Sequence, residues 1–252
     1  MDFSYLSCFL LVFTRITAFV AVFPFFAVTN IPVQTRVGLG FVLALGVAPV
    51  VKEMGPLPST ILTFVLELAG EAFVGLAIGF TAGMVFHALR VAGQFIGLQI
   101  GFAAAELLDF SGTQNTIVAE LMFFVGVIVF LTVNGHHAVL TALVKSFELI
   151  PLSGGTLRGG MVITAAHFIN GMFATALQLS APVLAVMVVV DVSLGIMVRM
   201  VPQINVFMLG FPLKIAAGLL ILAGLLPVLG VVLSKVFGRM VADVMILVRG
   251  LA

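Results

Sequence analysis

Six long apolar runs, separated by short polar breaks, dominate this chain. A hydrocarbon core about 30 Å thick needs roughly 20 consecutive apolar residues in one helix, and the runs recur at about that length or longer. They lie near 4–27, 37–51, 60–100, 116–133, 161–198 and 206–233. This pattern predicts several membrane-spanning segments.

The composition indicates which kind of membrane protein this is. Hydrophobic residues make up 62% of the 252 positions and charged residues 8%, against roughly 25% charged residues in a soluble domain. The runs are continuous and lack the alternation of barrel strands. We therefore predict an all-α membrane protein, a polytopic helical bundle of about six long helices, some of them broken. No basic residue precedes Arg15, so the first run is expected to be a retained span rather than a signal peptide.

Two of the runs are too long for one simple crossing. A continuous helix of about 40 residues would reach about 60 Å at 1.5 Å per residue. The runs at 60–100 and 161–198 are therefore expected to bend, tilt or break. We predict the interruptions at His87–Arg90 and at Ser180–Pro182, where a proline removes one backbone hydrogen bond.

Glycines repeat at intervals of four in the third run. Such spacing lets two membrane helices approach closely. The pattern is compatible with ordinary packing inside the bundle or with an assembly interface to other subunits. The glycines concerned are Gly75, Gly79, Gly83, Gly93, Gly97 and Gly101.

A few charged side chains lie within the apolar runs. Glu67 and Glu71 are one turn apart on the same helix face, and a carboxylate facing lipid is costly. We expect a buried pair with Arg15 or Arg90, or with a neighbouring chain, and a proton or ion pathway is the alternative. Asp191 is isolated in its run, eight residues before Arg199, so the two could share a face without touching.

The sequence carries no catalytic, metal-binding or cofactor pattern. The adjacent His136 and His137 lack the spacing of a metal site, and Cys8 is the single cysteine. The formal charge of +1 offers no basic surface for nucleic acid. We therefore expect no enzyme activity and no cofactor, although an intramembrane enzyme whose residues meet only in space stays open.

The segment 101–116, "GFAAAELLDFSGTQNT", is too apolar for a solvated loop. Backbone at membrane depth that is not helical must be buried in protein or line a cavity. A re-entrant or plug-like element is one interpretation of this segment. A plain packed connection is the other.

Three stretches together resemble a known family. They are "NIPVQTRVGLGFVLALGVAP" at 30–49, "FLTVNGHHAVLTALVKSFELIPLSG" at 130–154 and "RMVPQINVFMLGFPLK" at 199–214. The chain is similar, in this order and over almost its whole length, to the FliR proteins of the bacterial flagellar export apparatus and to their type III secretion counterparts, the T components.

The resemblance implies a non-enzymatic subunit of a protein-export gate, which helps to form and close a channel for unfolded protein substrates. Residues 1–155 would be a P-like helical part, and 156–252 a Q-like helical hairpin with a C-terminal amphipathic tail. The implied partners are the P-type and Q-type gate subunits, the FlhB-type switch protein, the FlhA-type export subunit, unfolded export substrates and membrane lipid. The implied location is the bacterial inner membrane, at the flagellar basal body or the injectisome base.

The resemblance also implies roles for particular residues. The plug of the family would correspond to the loop near 101–116, with Leu107, Leu108, Asp109 and Phe110 as its contacts. Relatives typically carry Asp-Pro where this chain has Asp109-Phe110. The turn of the hairpin would contain Arg199, Pro202, Asn205, Pro212 and Lys214, and its two prolines would stop one helix and restart the next.

A secondary transporter is the main competing interpretation. Broken apolar helices and the carboxylates Glu67, Glu71 and Asp191 would suit one. Such a transporter would be expected to show matching repeats in its two halves, and the halves of this sequence are unlike each other.

Overall fold

The computed structural model describes residues 3–26, 31–51, 60–102, 116–152, 161–201 and 206–252. These ranges contain seven α-helices and no strand, which confirms the all-α prediction. The helices are α1 (Phe3–Val22), α2 (Val33–Val47), α3 (Ile61–Ile100), α4 (Ile117–Thr132), α5 (Gly135–Leu149), α6 (Met161–Met200) and α7 (Val206–Leu251).

Four of these helices are long and apolar enough to cross a membrane. They are α1 over Tyr5–Val22, the whole of α3, α6 over Ile163–Met200 and α7 over Gly210–Leu251. The pair α4 and α5 gives a fifth crossing if the two are counted as one bent span. The prediction of a polytopic membrane protein with several spans is therefore confirmed.

Neither of the two predicted interruptions is present. Helix α3 runs unbroken for 40 residues through His87–Arg90, and α6 runs for 40 residues with Pro182 inside it. In an apolar environment each unpaired backbone group costs several kcal/mol. Losing one hydrogen bond at a proline is therefore cheaper than opening a whole turn, and the helix continues.

A sharp corner lies between α4 and α5. Asn134 adopts the left-handed conformation, with φ of 56° and ψ of 30°, and the two helices meet at 73°. Residues 134–158 fall in the break between the apolar runs 116–133 and 161–198, so hydropathy did not predict α5. This helix buries Val139, Leu143 and Phe147, while its exposed Lys145 and Glu148 lower the local hydropathy.

The last helix is longer than its apolar run. The run was expected to end near residue 233, whereas α7 continues to Leu251. Beyond that point the helix buries residues at intervals of three and four, and the other faces carry the charged residues. The buried residues are Phe237, Met240, Val244, Leu247, Val248 and Leu251.

The chain forms two compact units. One comprises Met1–Met84, Asn134–Ile169 and Phe237–Ala252, and the other comprises Val85–Val133 and Asn170–Val236. Both units draw on segments before and after residue 155. The division into a P-like and a Q-like part concerns resemblance rather than packing, and it stays a prediction.

Candidate functional site

The most buried polar group of the first unit is a cluster around Arg15. The Arg15 side chain is 0% exposed, and its Nε donates to Glu71 Oε2 at 2.5 Å. Its Nη1 donates to Ser146 Oγ at 3.2 Å, and its Nη2 donates to the Ile150 carbonyl at 3.1 Å. The guanidinium also lies over the Phe147 ring, 4.2 Å from the centroid. One side chain thus joins α1 to α3 and to both the body and the end of α5.

These contacts have a structural role, because they hold α1, α3 and α5 together. A buried guanidinium is stable only if it is paired and its other donors are bonded, and here each nitrogen of Arg15 has an acceptor. Glu71 therefore pairs with one of the two arginines named from the sequence. Neither Ser146 nor the Ile150 carbonyl could be identified from the hydropathy pattern, because Ser146 lies in α5, the helix that this pattern missed, and Ile150 follows the last residue of that helix.

Glu67 lies one turn before Glu71 but outside this cluster. Its side chain is half-buried, and its Oε2 is buried without a hydrogen-bond partner among the residues that the structure describes. The two carboxylates that the sequence grouped together therefore have different surroundings.

A second polar cluster joins α6, α7 and α3 in the other unit. Lys214 Nζ lies 2.6 Å from Asp191 Oδ1, and Gln99 Nε2 donates to Asp191 Oδ2 at 2.9 Å. The prediction that Asp191 is isolated is therefore wrong, because its partner Lys214 comes from α7, the facing helix of the hairpin. Arg199 lies two turns further along α6.

Arg90 has a partner that sequence reasoning missed. Its Nη2 lies 3.8 Å from Glu120 Oε1, and its guanidinium covers the Phe123 ring at 4.2 Å. Glu120 occupies the first turn of α4, where a negative charge is favourable. An acidic residue so close to a helix start is the signal that would have identified it.

The repeated glycines of α3 contact other helices of the same chain. A Cβ at Gly79 would lie 2.8 Å from the Phe19 carbonyl oxygen of α1, and a Cβ at Gly75 would overlap the Arg15 carbonyl. A Cβ at Gly93 would lie 2.5 Å from Ala119 Cα of α4. These positions favour packing within the chain over an assembly interface, which were the two readings open from the sequence.

The other three glycines of the repeat differ among themselves. A Cβ at Gly97 would lie 3.1 Å from the Thr116 side chain, which is a close but tolerable contact. Gly83 is buried. Gly101 follows the last residue of α3 with φ of 103°, a conformation that favours glycine.

The hairpin turn is shorter than expected. Helix α6 ends at Met200 with Arg199 in its last turn, and α7 begins at Val206. Pro212 lies inside α7 rather than at its start, so the expectation that it restarts the helix is wrong. Lys214 likewise belongs to the helix, where it pairs with Asp191. The predicted turn residues Pro202 and Asn205 lie outside the described residues.

The predicted plug residues Leu107, Leu108, Asp109 and Phe110 also lie outside the described residues. Thr116, at the end of that segment, caps α4, and its hydroxyl oxygen accepts from the Ala119 N–H at 3.0 Å. Within the described ranges no group of three or more metal-binding side chains comes together. The rings of His136 and His137 lie 4.4 Å apart at the start of α5.

Comparison with known proteins places these features in a family. Residues 6–240 match the family described as bacterial export proteins, family 1. The flagellar biosynthetic protein FliR of Bacillus subtilis strain 168 is 37% identical over 91% of this chain and 90% of its own length. FliR of Escherichia coli K12 is 28% identical over 94% of this chain and 90% of its own. FliR of Pectobacterium carotovorum is 30% identical over 90% and 87%. The chain therefore belongs to the FliR family of bacterial export proteins.

Proposed function

We propose that this protein is a non-enzymatic subunit of the export gate of the flagellar apparatus in the bacterial inner membrane. The family match supports a role in flagellar protein export. The large apolar surface that the hairpin of α6 and α7 leaves exposed supports a role as one subunit of a larger assembly. In the most apolar 18-residue stretch of α6, and likewise in that of α7, only 17% of the residues are buried within the chain. Both helices are highly apolar, so something outside the chain must cover them.

Lipid alone is insufficient to cover the hairpin. The α6 span has 38 residues, which corresponds to about 57 Å at 1.5 Å per residue. The hydrocarbon core is only about 30 Å thick. Even a strongly tilted helix would leave apolar surface outside the bilayer, and protein is the only other cover. The P-type and Q-type gate subunits are the proposed neighbours, with the FlhB-type and FlhA-type proteins further along the export path.

In this proposal, the segment with Leu107, Leu108, Asp109 and Phe110 closes the channel. Bulky apolar residues in a narrow constriction exclude water and ions by dewetting. They can also pack around an unfolded chain without recognising its sequence. The alternative, a secondary transporter, loses support because two of its three carboxylates, Glu71 and Asp191, are neutralised by Arg15 and Lys214 of the same chain.

Co-expression with the P-type and Q-type subunits tests the proposal. The intact mass of the complex recovered in mild detergent should correspond to a stable hetero-oligomer that contains this chain. A monomer or homodimer that ignores both neighbours would contradict the proposed role.

The plug is tested separately by deleting residues 106–113. The complex should still assemble, but the membrane should conduct ions, because the constriction loses its apolar residues. Unchanged conductance in an assembled deletion complex would count against the plug.

A further inference from the structure

Glu67 is a carboxylate in a membrane-spanning helix for which the described part of the chain provides no counter-charge. Its Oε2 is buried and accepts no hydrogen bond from a described residue, while the residue as a whole is only half-buried, so the carboxylate can be reached through its other oxygen. Arg15 of α1, which pairs with Glu71 one turn further along α3, already uses Nε, Nη1 and Nη2 on other acceptors. A charged group within a membrane-spanning helix needs a partner, so its partner is expected outside the described part of the chain.

Beside Glu67 lies an apolar face that nothing in the described chain covers. Leu62, Leu66 and Phe73 are 70%, 63% and 42% exposed, respectively. Gly70 lies between them on the same face, and a Cβ at this position would meet no atom within 4 Å. Positions 62, 66, 70 and 73 form one stripe of a helix, and Glu67 lies at its edge.

We propose that this face, with Glu67, binds a helix of another export-gate subunit, and that this helix carries a lysine or arginine opposite Glu67. The inference rests on the proposed function. The exposed leucines and Phe73 provide the apolar contact, and the bare position at Gly70 admits a bulky side chain. The carboxylate selects a basic partner, because an ion pair in a low-dielectric setting strongly favours opposite charge.

Two other occupants fit less well. Lipid acyl chains would cover the apolar stripe but would leave the Glu67 carboxylate without a cation. A second copy of this chain related by two-fold symmetry would present the same face and place a second carboxylate near the first, which is unfavourable. A basic helix from a different subunit satisfies both parts of the surface.

Glu67→Gln tests the inference in the chain co-expressed with the P-type and Q-type subunits. The yield of complex that survives detergent purification should fall about tenfold, equivalent to about 1.4 kcal/mol of binding free energy. The variant purified alone should keep wild-type thermal stability. Glu148→Gln, which removes an exposed carboxylate from α5, is the matched control and should change neither quantity.

A photo-cross-linking amino acid in place of Leu66 identifies the occupant directly. Adducts to a P-type or Q-type subunit, at a helix with a basic residue, are expected. Adducts to lipid alone or to a second copy would overturn the inference. Loss of stability in isolated Glu67→Gln would also overturn it, since the partner of Glu67 would then lie within the chain. If the wild-type chain recovers neither subunit, the proposed function itself fails and the inference with it.

Discussion

The Arg15 cluster predicts a large effect of a small change, Glu71→Gln. The replacement keeps the shape of the side chain, and its amide oxygen can still accept from Arg15 Nε, but the negative charge is lost. The Arg15 side chain is 0% exposed and that of Glu71 is 3% exposed. Removing one partner of a buried pair typically costs about 3–5 kcal/mol, because the remaining charge stays buried without compensation.

The remaining contacts of Arg15 set the expected value near the lower limit. Ser146 and the Ile150 carbonyl still accept from the guanidinium, and the Phe147 ring still lies against it. We therefore expect Glu71→Gln to lower the free energy of unfolding by about 3 kcal/mol.

The double variant Arg15→Met with Glu71→Leu provides the matched comparison. It removes both charges and replaces them with apolar side chains of similar size, which is often close to neutral. The Ile150 carbonyl loses its Arg15 donor, and this costs about 1–3 kcal/mol. The single variants of this cycle are Arg15→Met and Glu71→Leu. The double variant should lose about 2 kcal/mol less free energy of unfolding than the sum of the two single losses.

Reversible unfolding in mixed micelles, followed by circular dichroism, measures these free energies on the isolated chain. A cost of less than about 1 kcal/mol for Glu71→Gln would refute the reasoning, because a surface ion pair contributes that little. The reasoning would also be refuted if the losses of Arg15→Met and Glu71→Leu added up to the loss of the double variant, since the two charges would then not interact.

Three smaller effects are measured by the same unfolding assay. Gly93→Ala should destabilise the chain by about 1–3 kcal/mol, because the added Cβ would force α3 and α4 apart. The control Gly195→Ala, at a position with open space, should stabilise the chain by about 0.5–1 kcal/mol. Equal effects of the two variants would show that the close contact at Gly93 does not matter. Thr116→Ala should cost about 1 kcal/mol through loss of the helix cap, and Thr116→Ser should recover most of it. Asp191→Asn should cost at least about 1 kcal/mol, because it leaves Lys214 without its counter-charge inside an apolar span; no loss would mean that water reaches the pair.

Hydropathy was sufficient to predict the fold class and the spans. Apolar runs of this length have few alternatives to membrane helices, so the positions of α1, α3, α6 and α7 follow from them. The pairing of Arg15 with Glu71 was also accessible, because very few charged residues in the runs could neutralise each other.

Other features depend on tertiary contacts that a linear pattern does not contain. Helix α5 carries Lys145 and Glu148 on its exposed side, and its apolar face is too narrow to register as a run. The continuity of α6 through Pro182 depends on the absence of water to satisfy an opened turn. The partner of Asp191 could not be identified from the sequence, because Lys214 meets it only through the packing of α7 against α6.

The Arg15 cluster also has a consequence for biosynthesis. Glu71 follows Arg15 by 56 residues and Ser146 follows it by 131. At about 5–20 residues per second, α1 leaves the ribosome about 3–11 s before its counter-ion and about 7–26 s before α5 can complete the site. During this interval a helix with an unpaired arginine has to be held at the translocon or at the bilayer surface, since an arginine at the centre of a span costs about 2.5–3.5 kcal/mol. The first helix of this protein is therefore expected to enter the membrane stably only after the third has been made.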